Sequence, residues 1–241
     1  MIMGALRQIK RGMKSAGRVE VWDYPVIFWA SRLRKDKTTD LDAGGHLGMK
    51  YTAFQKHLDL QDMDWTVYDL QAIVEAARTA QKMGLVASAI SFEDKLARVQ
   101  NCEVLLGSWL LPFLDNSFGD LIGALLKRPH MPVLNMVALR EAPELVTLEQ
   151  IGPARVPYRI RNWQAFEAEI ETLGCEFLGR WSIPSLAPVI ATRPSEGASE
   201  GWGFVLHEKR ANGRKLSKSA TGESLGSFLA SERSPSPALA A

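Results

Sequence analysis

From residue 38 onward, apolar runs of strand length alternate with segments whose apolar positions recur at helical spacing. Thr39-Asp40-Leu41-Asp42-Ala43 predicts a strand that ends in the glycine cluster Gly44-Gly45-His46-Leu47-Gly48. A helix follows, with Ala53, Phe54, His57 and Leu58 on one face. Trp65-Thr66-Val67-Tyr68 is a second strand, and Ile73, Ala76, Ala77 and Ala80 mark a helix that stops at Gly84. Ala89-Ile90-Ser91-Phe92 is a third strand, with a polar helix running on to about Gln100. Cys102 to Gly107 is a fourth, and Phe118, Leu121, Ile122, Leu125 and Leu126 then form a helix closed by Lys127-Arg128-Pro129. Pro132 to Ala138 is a fifth strand. Asn162 caps a helix through Trp163, Phe166, Ile170 and Leu173 that ends at Gly174. Two closing strands, Cys175 to Trp181 and Trp202 to Leu206, are joined by a Pro/Ser-rich connection.

Such alternation implies a parallel sheet covered by helices on both faces. Right-handed crossovers then wind it in both directions from the first strand. The expected fold is α/β, Rossmann-like and doubly wound: a mostly parallel seven-stranded sheet with a terminal antiparallel hairpin at one edge. It occupies residues 38–207. Residues 1–37 form a basic, helical N-terminal extension. Residues 208–241, rich in Lys, Ser, Gly and Pro, read as a disordered tail.

Composition changes this picture little, but charge sharpens it. The net charge of +2 conceals three unlike regions. Residues 1–37 hold nine Lys/Arg against three Asp/Glu, and residues 208–241 hold six against three. The body between them carries 14 against 21, so an acidic domain sits between basic flanks. That balance argues against a nucleic-acid partner. Cys102 and Cys175, in separate apolar runs, make neither a disulfide framework nor a metal knuckle. His46, His57, His130 and His207 lack metal-ligand spacing. No apolar run reaches the roughly 20 residues that span a bilayer, and the early charges Arg7, Lys10 and Arg11 interrupt any secretory signal. The expected setting is cytoplasmic. Ile2, Leu6, Ile9 and Met13 make one face of a short amphipathic helix. Residues 1–18 therefore read either as a docking helix or as a peripheral contact with an anionic inner-membrane surface. The aromatic stretch from Val21 to Trp29 is expected to pack on the main domain.

In a doubly wound sheet ligands sit beyond the carboxyl ends of the strands, near the first one. The turn from Asp42 to Gly48 falls there, with glycines that let the backbone approach a ligand closely. The G-x-G-x-x-G fingerprint of dinucleotide folds is matched only by Gly45 and Gly48, because Ala43 takes the first position. A better match is a D-x-G-x-G-x-G loop, carried by Asp42, Gly44 and Gly48. This resembles class I S-adenosylmethionine-dependent methyltransferases. The resemblance implies that Asp42, Gly44, Gly45 and Gly48 cradle the methionine moiety of S-adenosyl-L-methionine. It implies, too, that Asp69 accepts the ribose hydroxyls and that Phe92 flanks the adenine. Further ordered motifs extend it: Leu41 to Tyr51, Trp65 to Asp69, Gly107 to Leu114, Thr147 to Gln150 and Val156 to Asn162. Across residues 20–207 the chain is similar to a bacterial family of predicted methyltransferases often encoded among surface-polysaccharide genes. His46 stands where that family has glycine.

No residue declares itself as a catalyst; His46, in the loop, and Tyr158 are the candidates. His130 precedes the fifth strand on the opposite edge, and His57 is expected to pack. Trp109, after the fourth strand, faces the expected acceptor pocket. Arg140, at the end of the fifth, is a candidate to hold an anionic or sugar acceptor together with Gln150, Tyr158 and Arg159. Its alternative is an ion pair with a surface carboxylate. Three readings follow: a methyltransferase for a small molecule or a glycan such as a surface-polysaccharide precursor, a non-catalytic binding or assembly module on the same fold, and an NAD-linked oxidoreductase.

Overall fold

In the computed structural model the described residues are 17–33, 38–61, 63–186, 190, 193–197 and 199–209, and they belong to one compact unit. The expectations for residues 1–16, including the amphipathic helix, and for residues 210–241 lie outside them. Strand β1 (Thr39–Ala43) is buried along almost its whole length. It pairs in parallel with β2 (Asp64–Tyr68) on one side and β4 (Val104–Ser108) on the other. Burial on both faces is the physical reason β4 reads as an apolar run. Strand β3 (Ile90–Glu93) joins β2 in parallel, and β5 (Met131–Arg140) joins β4.

The helices cover both faces. Helix α1 (Tyr24–Leu33) follows a 3-10 turn at Val21–Asp23. Helices α2 (Met49–Phe54), α3 (Gln71–Lys82), α4 (Phe118–Gly123) and α5 (Trp163–Thr172) follow in order. The two-residue period of the strands sorts the core. Val104, Leu106, Trp65 and Val67 pack with Val26, Phe54, Val74 and Ala77 on one face. Leu41, Leu105 and Leu134 pack with Phe118, Leu121, Phe166 and Phe204 on the other. The aromatic N-terminal stretch docks as expected: Val26 is buried in the first cluster, and Trp29 lies against Gly179, where a Cβ would meet its ring at 2.7 Å. Helix ends obey local chemistry. Asn162 accepts the Ala165 N–H at 2.9 Å, and Gly84 and Gly174 take left-handed φ after their helices.

The sheet has nine strands rather than seven. The two extra ones are β6 (Leu145–Ile151) and β7 (Ala154–Asn162), an antiparallel hairpin in the segments singled out as motifs. Gly152 (φ +59°) and Pro153 make its two-residue turn, a conformation that glycine then proline suits well. This hairpin overhangs the sheet. β5 follows β4 as far as Asn135, opposite Ser108, then breaks register around Met136 and meets β7 only at Leu139 and Arg140. The closing strands, β8 (Cys175–Ile183) and β9 (Glu200–Glu208), are antiparallel as expected. Only β8 lies at the edge, because β9 inserts between it and β5. Three helices are also shorter than the periodicity suggests, α4 stopping at Gly123 before Leu125 and Leu126. α2 ends at Phe54, which leaves His57 exposed in a turn instead of packed, and the polar segment after β3 condenses to one 3-10 turn, Leu96–Arg98. Among the described residues no helix is long and apolar enough to cross a membrane, and no group of three metal-ligating side chains converges.

Candidate functional site

The turn after β1 is shaped by what its glycines exclude. The Gly44 N–H donates to the Tyr68 carbonyl at 2.8 Å, tying the turn to the end of β2. A Cβ on Gly45 would meet the Asp42 carboxylate at 2.4 Å, and one on Gly48 (φ +75°) would meet Ile90 Cδ1 at 2.4 Å. These positions must be glycine for the turn to close, whatever it binds. Asp69 staples the turn a second time. One oxygen accepts the His46 N–H at 2.9 Å and the other the Leu70 N–H at 2.7 Å. Each oxygen keeps a lone pair for a ligand. His46 is exposed and holds φ +54°, the left-handed conformation that glycine adopts without cost.

Asp42 is 1% exposed and its Oδ2 has no hydrogen-bond partner. Burial pushes its carboxyl from 3.8 up to about 7, with the Lys50 charge pulling the other way. Lys50 itself reaches Asp23 Oδ1 at 2.6 Å, and Asn135 Nδ2 donates to the same oxygen at 3.3 Å. Asp23, 1% exposed, thus clamps the N-terminal segment across the start of α2 and the middle of β5. The buried Asn135 Oδ1 and Ser108 Oγ, neighbours in register, have no partner. Asp23, Lys50, Ser108 and Asn135 were not singled out from the sequence. One signal was present: Asn135 is a lone polar residue inside the apolar run of β5.

Backbone strain gathers at the same end of the sheet. Among the described residues, His46, Trp109 (φ +56°) and Met136 (φ +60°) are the non-glycine positions with positive φ. They follow β1, follow β4 and interrupt β5, so strain gathers where β1 and β4 end and β5 breaks register. Trp109 keeps its place because its N–H donates to the Asn135 carbonyl at 2.8 Å. Its indole meets Phe113 edge-on at 5.4 Å, and Phe113 meets Tyr158 at 5.5 Å. Trp109, Met136, Glu149 and Tyr158 line a cavity of about 180 Å³ under the β6–β7 hairpin. A cavity of about 430 Å³ lies elsewhere, beside the carboxyl end of α2 and the loop that follows it, away from these groups.

Several expected site residues are placed elsewhere. Phe92 lies inside β3, not beyond it, and its ring is buried in the first core cluster. Arg140 takes its ion-pair alternative: it is buried and donates to Glu196 Oε2 at 3.1 Å and to the Glu196 carbonyl at 2.7 Å. Arg159 pairs with Glu144 at 2.8 Å, and Gln150 donates to the Gly152 carbonyl at 3.3 Å. Strand alternation is the cause. Leu145, Thr147 and Glu149 of β6 share the inward face with Val156, Tyr158 and Ile160 of β7, which turns Gln150 and Arg159 outward. Glu149, not anticipated, takes the inward place beside Tyr158. Trp109 and Tyr158 do meet in the acceptor-side cavity, whereas His46, in the turn after β1, is not among its lining residues.

The residues present suit S-adenosylmethionine at the turn: exposed bare backbone at Gly44, the partly exposed ammonium of Lys50, and spare acceptor positions on both oxygens of Asp69. No family model matches the sequence, and no curated protein matches it. Solved structures match the fold. The glycopeptide N-methyltransferase MtfA complexed with S-adenosyl-L-methionine superposes with TM-score 0.51 at 11% identity, over 78% of this chain and 94% of that one. The N-terminal domain of EvdMO1 with S-adenosylhomocysteine bound gives 0.54 at 12%, over 84% and 96%. The same domain in the presence of S-adenosylhomocysteine and D-fucose gives 0.55 at 12%, again over 84% and 96%. The chain therefore has the Rossmann-like α/β fold found in these S-adenosylmethionine-dependent methyltransferases.

Proposed function

We propose that the chain is an S-adenosylmethionine-dependent methyltransferase whose acceptor is a small molecule or a glycan such as a surface-polysaccharide precursor. The observation that carries this reading is the turn after β1, where the exposed Gly44 presents bare backbone and Asp69, which fixes the turn through the His46 N–H, keeps free lone pairs. Lys50, partly exposed, is the cation that would hold a carboxylate. The free lone pairs of Asp69 suit a pair of ribose hydroxyls. When bound, S-adenosylmethionine supplies a methyl group activated on a sulfonium. Trp109 and the hairpin wall then position the acceptor and exclude water, the effects such a displacement needs most.

The sheet order also bears on the oxidoreductase reading. An antiparallel strand sits between β5 and the edge strand, unlike the six parallel strands of the dinucleotide fold. That difference, with Ala43 at the first fingerprint position, disfavours NAD. The non-catalytic reading draws its support from His46, whose strained turn uses one acceptor position of Asp69. Calorimetric titration with S-adenosylhomocysteine and, in parallel, with NAD is the test. Saturable binding of the homocysteine compound, weakened at least tenfold in Asp69→Ala, is expected, and no heat is expected with NAD. Binding of neither compound would remove both enzyme readings.

A further inference from the structure

We infer that the cavity beneath the β6–β7 hairpin selects a cationic amine, with Glu149 as its counter-charge and Trp109 and Tyr158 as its aromatic wall. Its ligand class stands on the lining alone. That the amine is the methyl acceptor rests on the methyltransferase reading above.

Four observations converge. Glu149 is half-buried on the inward face of β6, and among the described residues no cation or donor pairs with it. Its carboxylate stands beside the apolar Met136 and Leu186, so a cation entering the cavity would meet an uncompensated negative charge. Next, the aromatic groups are fixed rather than loose. The Trp109–Phe113–Tyr158 ladder of edge-on contacts orients both outer rings, and the left-handed φ of Trp109 leaves its indole 40% exposed. Indole and phenol faces attract ammonium groups and do nothing for carboxylates.

Third, among the described residues no cationic side chain lines the cavity. Of the four nearby arginines, Arg140 is committed to Glu196, Arg159 to Glu144 and Arg161, itself buried, to the Leu111 carbonyl, while Arg155 pairs in register with Gln150 on the outward face of the hairpin. An anionic acceptor would meet Glu149 uncompensated. Finally, about 180 Å³ equals the bulk volume of about six waters. That suits a small amine or the tip of a larger one, and the apolar floor of Val137 and Ala138 offers a sugar ring few polar partners. Methyl transfer to such an amine would form the N–CH3 bond as the methyl–sulfur bond of the sulfonium breaks, with that electron pair staying on sulfur. The ammonium proton, lost first, would pass through the Glu149 carboxylate to solvent.

A charge series of one shape tests this on the full chain: benzylamine, benzyl alcohol and benzoate, followed by ligand-observed NMR titration. Benzylamine is expected to bind at least tenfold more tightly than benzyl alcohol, with benzoate weakest. Glu149→Gln should erase that preference while leaving benzyl alcohol within twofold of its original affinity. Benzoate binding as tightly as benzylamine in the unmodified protein overturns the inference, as does a preference that survives Glu149→Gln. The S-adenosylhomocysteine titration separates the two readings. Amine preference without binding of that compound supports the cavity assignment and removes the methyl donor. Binding of that compound without amine preference overturns the cavity assignment alone.

Discussion

The cradle after β1 and the cavity under the β6–β7 hairpin lie at the same end of one sheet, yet they are built by opposite means. The cradle is made of contiguous residues held from below. Its glycines touch buried atoms, its carboxylates Asp23 and Asp42 are buried, and its hydrogen bonds are mostly backbone. The cavity is assembled from residues far apart in sequence, and its shape depends on which way each strand residue faces. Buried charge and close packing make the cradle intolerant of change. The hairpin, whose Arg159 pairs with the surface carboxylate of Glu144, should yield more readily.

The largest expected effect breaks the cradle through pH. The folded protein holds a proton on Asp42 up to about pH 7, whereas an unfolded chain releases it near 3.8. The native state binds the extra proton between those values, so this group's contribution is complete at low pH and falls as pH rises to 7. At roughly 1.4 kcal/mol per unit the loss is at most about 4 kcal/mol. Asp42→Asn, neutral throughout, should flatten the melting temperature between pH 4 and 7 relative to the unmodified protein. Parallel curves for the two proteins would contradict the assignment.

Next is Asp23→Ala, which strands Lys50 beside Asp42 and frees Asn135. Removing one member of a buried ion pair costs about 3 kcal/mol, discounted to the low end because Lys50 keeps some exposure. A fall in melting temperature of roughly 6–12 °C is expected for a domain of this size. The smallest effect sharpens the contrast directly. Gly48→Ala adds left-handed strain and a clash with Ile90, about 2–3 kcal/mol together, whereas Gly152→Ala in the hairpin turn meets nothing within 4 Å and adds strain alone, about 1 kcal/mol. Equal losses in denaturant titrations of the two variants would show that the cradle is no more tightly packed than the hairpin.

The parts of the fold that were legible share a cause. β4 and β5 read correctly because doubly buried strands are near-continuous apolar runs, β1 to β3 because short strand-forming stretches end at turn signals between helical segments, and α3 and α5 because their caps and periods are local. The hairpin was quoted as motif and not seen as strands: its inward positions mix Thr147 and Glu149 with Leu145, and Pro157 sits inside β7. Gly152-Pro153 was the available signal. Phe92 was misplaced by one strand end, a small error that moves a side chain from rim to core.

By itself the sequence determined the alternation of strands and helices, the glycine turn after β1 and the placement of Asp42 and Asp69, because each depends on neighbours along the chain. Only the tertiary structure decided that Asp23 reaches Lys50 and Asn135, that Arg140, Gln150 and Arg159 turn away from the acceptor side, and that Glu149 turns toward it. Those outcomes depend on strand register and on contacts across as many as 112 residues. A shift of one position in a strand sends every side chain to the opposite face.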